Sequence, residues 1–342
     1  MRFCTRTAST HSTSQRPDLE SLLHPVSIGN VKLPCNLFLA PLAGYTDKVY
    51  RSICLKKGAA LAYTEMVSSE GVARDNDKTV ILMERGEGET NLAVQLFMPD
   101  ADTAKRSLEN VMKYKPALID INCGCPVPKV VKTGAGSALL KNPATIYEIV
   151  KAIKDNVPVP VTVKIRTGWD TNCLNYLEVA EKAFSAGASA LCMHARTKSQ
   201  LYMPTAHWNL LKDLKDHFKE NMIIGSGDLF TAEDGVRMLK ETGVDAISYA
   251  RGAIGNPFIF EQTKALLEGR PQRTVSTQEK VDAIMVHLNG LVEFLGEKTA
   301  CREMRKHVCA YLKGIPNSAK VRQSVTSALT VDQYREALAL LS

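Results

Sequence analysis

Residues 222–251 read MIIGSGDLFTAEDGVRMLKETGVDAISYAR, and this stretch shows on a small scale the pattern of most of the chain. It begins with a short apolar run, continues with a polar segment and ends with a second apolar run. Thr231 precedes the polar segment and Asp234 follows three residues later, which is a capping-box pattern at the start of a helix. The stretch therefore predicts a strand, a helix over residues 231–242 and a second strand.

Eight apolar runs of this kind lie between about residues 25 and 262, and helical stretches such as 101–112 and 143–156 separate them. Most of the runs are continuous rather than alternating, which indicates parallel strands buried on both faces. Eight such units in ~240 residues predict a closed (β/α)₈ TIM barrel. An open doubly wound sheet is the alternative, although no G-x-G-x-x-G follows the first run. The runs are LFLAP (37–41), ALAYTE (60–65), LAVQLF (92–97), ALIDIN (117–122), VTVKIR (161–166), ALCMHA (190–195), MIIGS (222–226) and DAISYA (245–250).

Polar residues stand at the carboxyl ends of these runs. A (β/α)₈ barrel builds its active site at that end, from the ends of several strands and the loops that follow them. A single polar strand end could be an accident of packing, but a series of them predicts a site. The series comprises Thr64-Glu65, Gln95, Asp120 to Asn122, Lys164 to Arg166, His194 to Arg196, Gly227-Asp228 and Ala250-Arg251.

The loop after the fourth run is IDINCGCPVPKVVKTGAGSALLKNP, residues 119–143. Pro126 and Pro128 stiffen this loop because each proline restricts its own backbone. Cys125 lies between Gly124 and Pro126, and we expect its thiol to project from the rim. A lone cysteine is usually a small buried hydrophobe, and that interpretation suits the cysteines elsewhere in the chain better than it suits Cys125.

The loops after the seventh and eighth runs predict a phosphate site. Gly227 and Asp228 follow the seventh run, and Ala250 and Arg251 end the eighth. Barrels commonly bind phosphate in these two loops, where backbone N–H groups approach the anion. Lys164 stands near the same rim, and burying its positive charge is costly unless it pairs with an anion or an electron-rich group.

Two further rim residues belong with this predicted site. Gln95 offers both a donor and an acceptor to a planar ring edge. His194 shares the rim, although a hydrogen-bonded core histidine is the alternative interpretation. We expect no metal, because no pair of cysteines has zinc-ligand spacing and Cys123-Gly-Cys125 is too tight for a zinc knuckle.

The remaining sequence suggests a second unit. Residues 270–276 (RPQRTVS) interrupt the pattern, and the chain beyond them is helical throughout, with helices expected over 277–294, 298–313, 317–329 and 331–341. We predict an N-terminal extension over residues 1–24 that is disordered, a barrel over 25–268, a linker over 269–276 and an all-helical domain over 277–342.

Composition limits the partners and the cellular compartment that we expect for the protein. Among 342 residues the net charge is +7, which fits ordinary solubility or a polyanionic partner. Nine cysteines, an odd number, favour a reducing cytoplasm. No apolar run approaches the ~20 residues that span a bilayer, so we expect no membrane association. The first 17 residues contain three arginines and no acid, a composition that also suits an organellar targeting peptide.

Taken together, these residues resemble the tRNA-dihydrouridine synthases, most closely the bacterial B-type branch. The resemblance runs from about Val26 to the C-terminus. It rests on APLAGYTD (40–47), AYTEMVSSEG (62–71), DINCGCPVPKV (120–130), GAGSALL (134–140), VTVKIRTGW (161–169), MHARTKSQLY (193–202) and the later GSGDL and ARGAIGNP segments. It implies reduction of specific tRNA uridines to dihydrouridine by a monomer that uses non-covalent FMN and takes electrons from NADPH (or NADH).

The resemblance also implies roles for single residues. Cys125, and not Cys123, matches the catalytic cysteine, which protonates C5 of the uracil after hydride reaches C6. The expected FMN contacts are Pro41, Leu42 and Ala43 against the ring, Gln95, Lys164 and His194 at its pyrimidine edge, and Ser226, Gly227, Asp228, Ala250 and Arg251 at the phosphate end. Three departures from the family pattern stand out. Ser226 replaces the usual asparagine, and Cys123 stands where a methionine or another residue is common. Residues 201–208, in an RNA-facing loop, lack a glycine that the family often has.

RNA contacts are expected from two regions. At the barrel rim they are Asn122, Arg166 and Arg196, and in the helical region they are Arg302, Arg305, Lys306 and Lys313. On an ideal helix Arg302, Lys306 and Lys313 lie within about 40° of one another, opposite Met304, Val308 and Tyr311. The alternative for this face is a solvated side of an amphipathic helix. Alternatives for the whole chain are a flavin barrel acting on a small free substrate and a non-catalytic tRNA-binding protein.

Overall fold

The structure is a computed structural model that describes residues 19–341. The predicted extension, residues 1–24, lies mostly outside this range. The part inside it is ordered, contrary to the prediction, because Leu19–Leu22 form a 3₁₀ helix. Leu22 and Leu23 pack against the core, and the Asn36 side chain donates to the carbonyl of Leu22 at 2.9 Å. Burial of these leucines explains why the ordered chain begins before residue 25.

Eight parallel strands close into a barrel, and each strand pairs with its neighbours in the chain. The eighth strand returns to the first, with Tyr249 opposite Leu39. Nearly every residue in the strands is buried, as continuous apolar runs require. The predicted fold class is confirmed, and the open sheet is excluded. The strands are Leu37–Leu39, Leu61–Ser68, Leu92–Phe97, Leu118–Cys123, Val161–Arg166, Ala190–His194, Ile223–Ser226 and Ala246–Tyr249.

The second strand is the one whose bounds differ most from the prediction. It continues to Ser68, three residues beyond the predicted end, and its pairing with the third strand shifts between Tyr63 and Met66. This irregularity turns Met66 toward the open end of the barrel, where it lines a cavity.

Helices cover the outside of the barrel. The helix after the seventh strand begins as predicted, with a capping box between Thr231 and Asp234. The main outer helices are Lys48–Lys56, Ala101–Lys113, Pro143–Lys154, Tyr176–Ser185, Trp208–His217, Ala232–Thr242 and Ile259–Leu267. Short helices Ser69–Ala73 and Asp77–Val80 fill the connection between the second and third strands.

A small antiparallel hairpin covers the amino end of the barrel. Its strands are Val26–Ile28 and Val31–Leu33, and their inward side chains are buried. The turn lies so close to the barrel that a Cβ at Gly29 would come within 2.7 Å of Pro160, just before the fifth strand. The amino end is therefore covered, and the carboxyl end is the one that can hold a site.

Four helices follow residues 270–276, close to their predicted positions. They are Thr277–Leu295, Glu297–Tyr311, Ser318–Val325 and Val331–Leu338. Met304, Val308 and Tyr311 are buried, as predicted for the inner side of the second of these helices. No helix within residues 19–341 is long and apolar enough to cross a membrane.

The helical region packs directly on the barrel. The Asp47 carboxylate caps the first outer helix, and its other oxygen accepts a hydrogen bond from Nε2 of His287 at 3.3 Å. His307 lies beside this pair, with its Nε2 3.7 Å from the same carboxylate. A Cβ at Gly255 would come within 2.3 Å of the Tyr311 backbone, so the two parts of the chain meet backbone to backbone. This contact holds the second helix of the region beside the first barrel loop.

Candidate active site

A cavity of about 610 Å³ opens at the carboxyl ends of the barrel strands. It brings together residues that are far apart in the sequence. Every residue predicted to contact FMN lines it, as do Cys125, Asn122 and Arg166. The structure thus places these side chains in one space, while their individual roles stay predictions.

One wall of the cavity is a chain of hydrogen bonds between two neighbouring strands. Asn122 donates through Nδ2 to Oε1 of Gln95 at 2.8 Å, and Gln95 donates through Nε2 to the buried Asp120 at 2.6 Å. The Oδ1 atom of Asn122 accepts from the backbone N–H of Cys125 at 2.8 Å and of Gly124 at 3.1 Å. Asn122 therefore shapes the loop that carries Cys125, a role for which the sequence analysis had no signal.

The two thiols of this loop differ in their surroundings. Cys123 is fully buried in the barrel core, whereas Cys125 lines the cavity and is 9% exposed. Burial raises the pKa of the Cys125 thiol, and the Val127 N–H and the charges of Arg166 and Lys164 oppose this only in part. Cys125 is therefore a protonated thiol at neutral pH, as a proton donor must be.

Arg166 connects this loop to the next part of the rim. Its guanidinium is buried and donates to the carbonyls of Gly124, Thr197 and Leu201 at 3.0, 2.8 and 2.9 Å. These bonds use much of its donor capacity, so Arg166 can reach RNA only at a nucleotide that enters the cavity.

Lys164 and His194 lie on the fifth and sixth strands, and Lys164 pairs with Asn122 in the register of the fourth and fifth strands. The Lys164 ammonium makes no ion pair or hydrogen bond within residues 19–341, although it lines an otherwise largely apolar cavity. Burial lowers the pKa of His194 well below its usual range, and the positive charges of Arg166 and Lys164 lower it further. Nε2 of this neutral imidazole is 3.2 Å from an Arg196 nitrogen, which can only donate, so the ring proton is on Nδ1.

The predicted phosphate end is more extensively paired than expected. Arg251 forms an ion pair with Asp228 at 3.0 Å, and its guanidinium lies against the rings of Tyr202 and Phe230. Asp228 accepts from Arg196 at 2.6 Å and from the Ala206 N–H at 2.8 Å. The Asp228 carboxylate is an acceptor, so any phosphate contact from this residue would come from its backbone N–H.

Small residues are required at this end. Gly227 has a φ of +118°, and a Cβ there would come within 3.0 Å of both Ala206 and His194. A Cβ at Gly252 would come within 2.1 Å of the Leu229 carbonyl oxygen. Ser226, in contrast, turns its hydroxyl to the Ser248 carbonyl at 2.9 Å, so its side chain stabilises the strands.

Arg196 differs from the prediction that it contacts RNA. Its side chain is only 2% exposed, is ion-paired with Asp228 and donates to the Pro204 carbonyl at 2.7 Å. A guanidinium that is buried and fully engaged does not offer itself to RNA phosphates. The predicted RNA contact at Arg196 is therefore wrong. The Arg196 side chain instead joins two rim loops, through Asp228 in one and Pro204 in the other.

The predicted RNA contacts in the helical region also differ from what the structure shows. Lys313 lies beyond Tyr311, where the helix ends, so the helical angle that grouped it with Arg302 does not apply. Arg305 is half-buried and donates to the Ala328 carbonyl at 3.1 Å, which leaves it less available than predicted. Lys306 pairs with Glu303 and lies 5.8 Å from the centre of the Tyr45 ring, at the cavity rim.

One cavity of this parallel eight-stranded barrel holds a thiol, a lysine with no ion pair among residues 19–341, and loops that contain glycine. These are the features of a flavin-dependent oxidoreductase site. The profile of the family described as "Dihydrouridine synthase (Dus)" matches residues 38–341. The chain belongs to the dihydrouridine synthase family, and the predicted family and its flavin-dependent oxidoreductase function are confirmed.

Individual relatives agree with this family. A "Probable tRNA-dihydrouridine synthase" of Treponema pallidum is 44% identical over 306 residues, which cover 86% of this chain and 89% of the relative. The "tRNA-dihydrouridine synthase B" of Vibrio parahaemolyticus is 40% identical, with 92% and 97% covered. Among solved structures, morphinone reductase has a TM-score of 0.54 at 13% identity, covering 78% of this chain and 94% of that one, a likeness of fold alone.

Proposed function

We propose that this protein reduces the C5–C6 double bond of uridines in tRNA to 5,6-dihydrouridine, with non-covalent FMN in the barrel cavity and NADPH (or NADH) as the reductant. The observation that carries the proposal is the meeting of Cys125, Lys164 and Gln95 around one cavity in a chain of this family. The helical region, residues 277–342, is proposed to bind the tRNA that residues 25–268 modify, with 269–276 as the linker.

The cavity residues fit FMN. Lys164 is a cation without a partner in the described chain, and the electron-rich pyrimidine edge of an isoalloxazine would supply one. Gln95 has one amide hydrogen left after its bond to Asp120, and the His194 ring proton is on Nδ1. Pro41, Leu42 and Ala43 would pack against the ring, and Gly227 and Ala250 would let backbone approach the phosphate, with Arg251 beside it.

The residues of the chain then have a defined task. When bound, FMN supplies the hydride that uracil C6 receives. Cys125 holds a proton on Sγ for uracil C5, and the burial that raises its pKa also keeps water from replacing it. Asn122 and Arg166 hold the Cys125 loop from both sides. A uridine must leave its stack to reach this depth.

Charge near the rim supports RNA as the substrate. Lys306 lies against Tyr45, which lines the cavity, so the helix Glu297–Tyr311 brings a cation to the entrance. Arg302 and Lys313 are exposed nearby in the chain. Their phosphate contacts would add a salt-dependent contribution to affinity. A free nucleoside would not need these residues, which is why tRNA is preferred over a small substrate.

The test compares substrates on the purified holoenzyme. Unmodified tRNA and free uridine are each incubated with the enzyme and NADPH or NADH, and dihydrouridine is measured by mass spectrometry. We expect product in tRNA and little from uridine. Equal turnover of free uridine would support a small-molecule reductase, and the absence of product from a flavin-loaded protein with both reductants would reject the proposal. The cytoplasmic location and monomeric state stay predictions.

A further inference from the structure

Asp120 is not among the residues that line the cavity, yet the side chains of Gln95 and Asn122 on that wall connect to it. Its Oδ2 accepts from Gln95 at 2.6 Å and its Oδ1 accepts from Thr162 Oγ1 at 2.5 Å. Through Gln95 the connection continues to Asn122, and from Asn122 to the N–H groups of Gly124 and Cys125. We call these three side chains, Asp120, Gln95 and Asn122, the amide relay.

The amide relay can have only one direction. Backbone N–H groups can only donate, so they require the oxygen of the Asn122 amide to face the loop. Its nitrogen then faces Gln95, which must present its own oxygen there and its own nitrogen to the next group. That next group must accept, and an ionised carboxylate is purely an acceptor. Asp120 is thus the acceptor that closes the relay at its buried end.

We propose that Asp120 is a positioning residue: it sets the orientation of the Gln95 amide and, through Asn122, holds the loop that carries Cys125. The inference rests on the proposed function only in giving Cys125 its task. It also implies that the Gln95 hydrogen left for the cavity points in a fixed direction.

The pKa of Asp120 agrees with this geometry. Burial raises the pKa of Asp120 to about 6, and the bonds from Gln95 and Thr162 and the charge of Lys164 oppose a larger rise. The carboxylate is thus mainly ionised at neutral pH. Because Lys164 lies near, charge balance is the competing explanation for an acid at this position.

Two substitutions separate positioning from charge balance. Asp120→Asn keeps an oxygen that can accept from Gln95, offers its nitrogen to Thr162, and removes the charge. Asp120→Leu removes both the acceptor and the charge. A positioning role predicts that asparagine rescues what leucine loses, whereas charge balance predicts that the two variants behave alike.

The measurement is the order of the Cys125 loop, and it does not depend on turnover. Hydrogen exchange of the Gly124 and Cys125 amides and the rate of Cys125 alkylation by iodoacetamide are followed in the holoprotein, with Cys125→Ala identifying the labelled thiol. Losing an ordinary hydrogen bond changes a local opening equilibrium by ~5-fold. We expect at least that increase in both rates for Asp120→Leu, and wild-type rates within about twofold for Asp120→Asn.

Two outcomes would overturn the proposal: wild-type loop exchange in Asp120→Leu, or equal loosening in the leucine and asparagine variants. If the leucine variant does not fold, Gln95→Met disconnects Asp120 from Asn122 and should loosen the loop alike. Unchanged protection in that variant would also reject the relay. A protein that makes no dihydrouridine but shows the expected exchange pattern would refute the proposed function and leave the relay intact.

Discussion

Cys125 and Cys123 lie two positions apart and allow a matched pair of substitutions. Cys125→Ala removes the only thiol that lines the cavity within the described chain, and Cys123→Ala removes one that is sealed in the core. General acid catalysis is typically worth ~10²–10⁴-fold. Because Cys125 is 9% exposed, little water can take its place, and we expect a loss toward the upper part of that range.

The assay is a single turnover of the reduced holoenzyme with unmodified tRNA, in which flavin absorbance and dihydrouridine are both followed. Cys125→Ala should slow both signals by ~10³- to 10⁴-fold. Reduction of the flavin by NADPH should keep its wild-type rate, because that half-reaction needs no proton from Cys125.

Cys123→Ala is the control. It deletes one buried sulfur, so we expect a stability cost of about 1 kcal/mol and little change in the turnover rate. A wild-type rate in Cys125→Ala, or a stalled reaction in Cys123→Ala, would show that the wrong thiol has been chosen.

Three further predictions concern cofactor, RNA and pH. Arg251→Ala should lower the flavin-to-protein ratio after gel filtration. Flavin binding should be weakened but not abolished, because the charge of Arg251 is already partly neutralised by its ion pair with Asp228. An unchanged ratio would exclude a phosphate contact. Replacing Arg302, Lys306 and Lys313 together with alanine should weaken tRNA binding and reduce the slope of log affinity against log salt by up to ~3. The reduction should be smaller than about 3 because Lys306 is already paired with Glu303. An unaltered slope would contradict the proposed RNA interface. Burial is the main cause that lowers the pKa of His307 to about 3, and the neighbouring His287 is the second. Between pH 6.5 and about pH 3 this histidine is therefore protonated in the unfolded chain and neutral in the folded chain. The unfolding free energy should therefore fall with falling pH by up to ~1.4 kcal/mol per unit from this residue, and His307→Gln should flatten that slope in denaturant titrations.

Much of the barrel could be predicted from the order of residues alone. A strand buried on both faces must be mainly apolar along its length, so LFLAP and LAVQLF reveal their structure locally. The Thr231 capping box is equally local, since its two hydrogen bonds join residues three positions apart. The cavity residues followed from one rule, that parallel strands in a closed barrel end at one rim.

Other features depended on partners that are distant in the sequence. Arg196 was expected at the RNA, but Asp228, on the next strand, holds it in the rim. The end of the helix at Tyr311 moved Lys313 off the predicted face. The pairing of Arg196 has no local signature, because an arginine in the sequence looks the same whether its side chain meets solvent or a buried counter-ion.

The sequence by itself determined the barrel, the rim that holds the site and the thiol that faces it, because burial on two faces and strand-end placement leave periodic, short-range patterns. Only the tertiary structure decided which polar groups are free to act. The Lys164 ammonium makes no ion pair or hydrogen bond within residues 19–341, and Asp228 is occupied by two arginines. Asp120 is the acceptor behind Gln95 in the hydrogen-bonded series that ends at Cys125. Hydrogen bonds and ion pairs are satisfied across strands, between residues whose spacing in the chain carries no record of their contact.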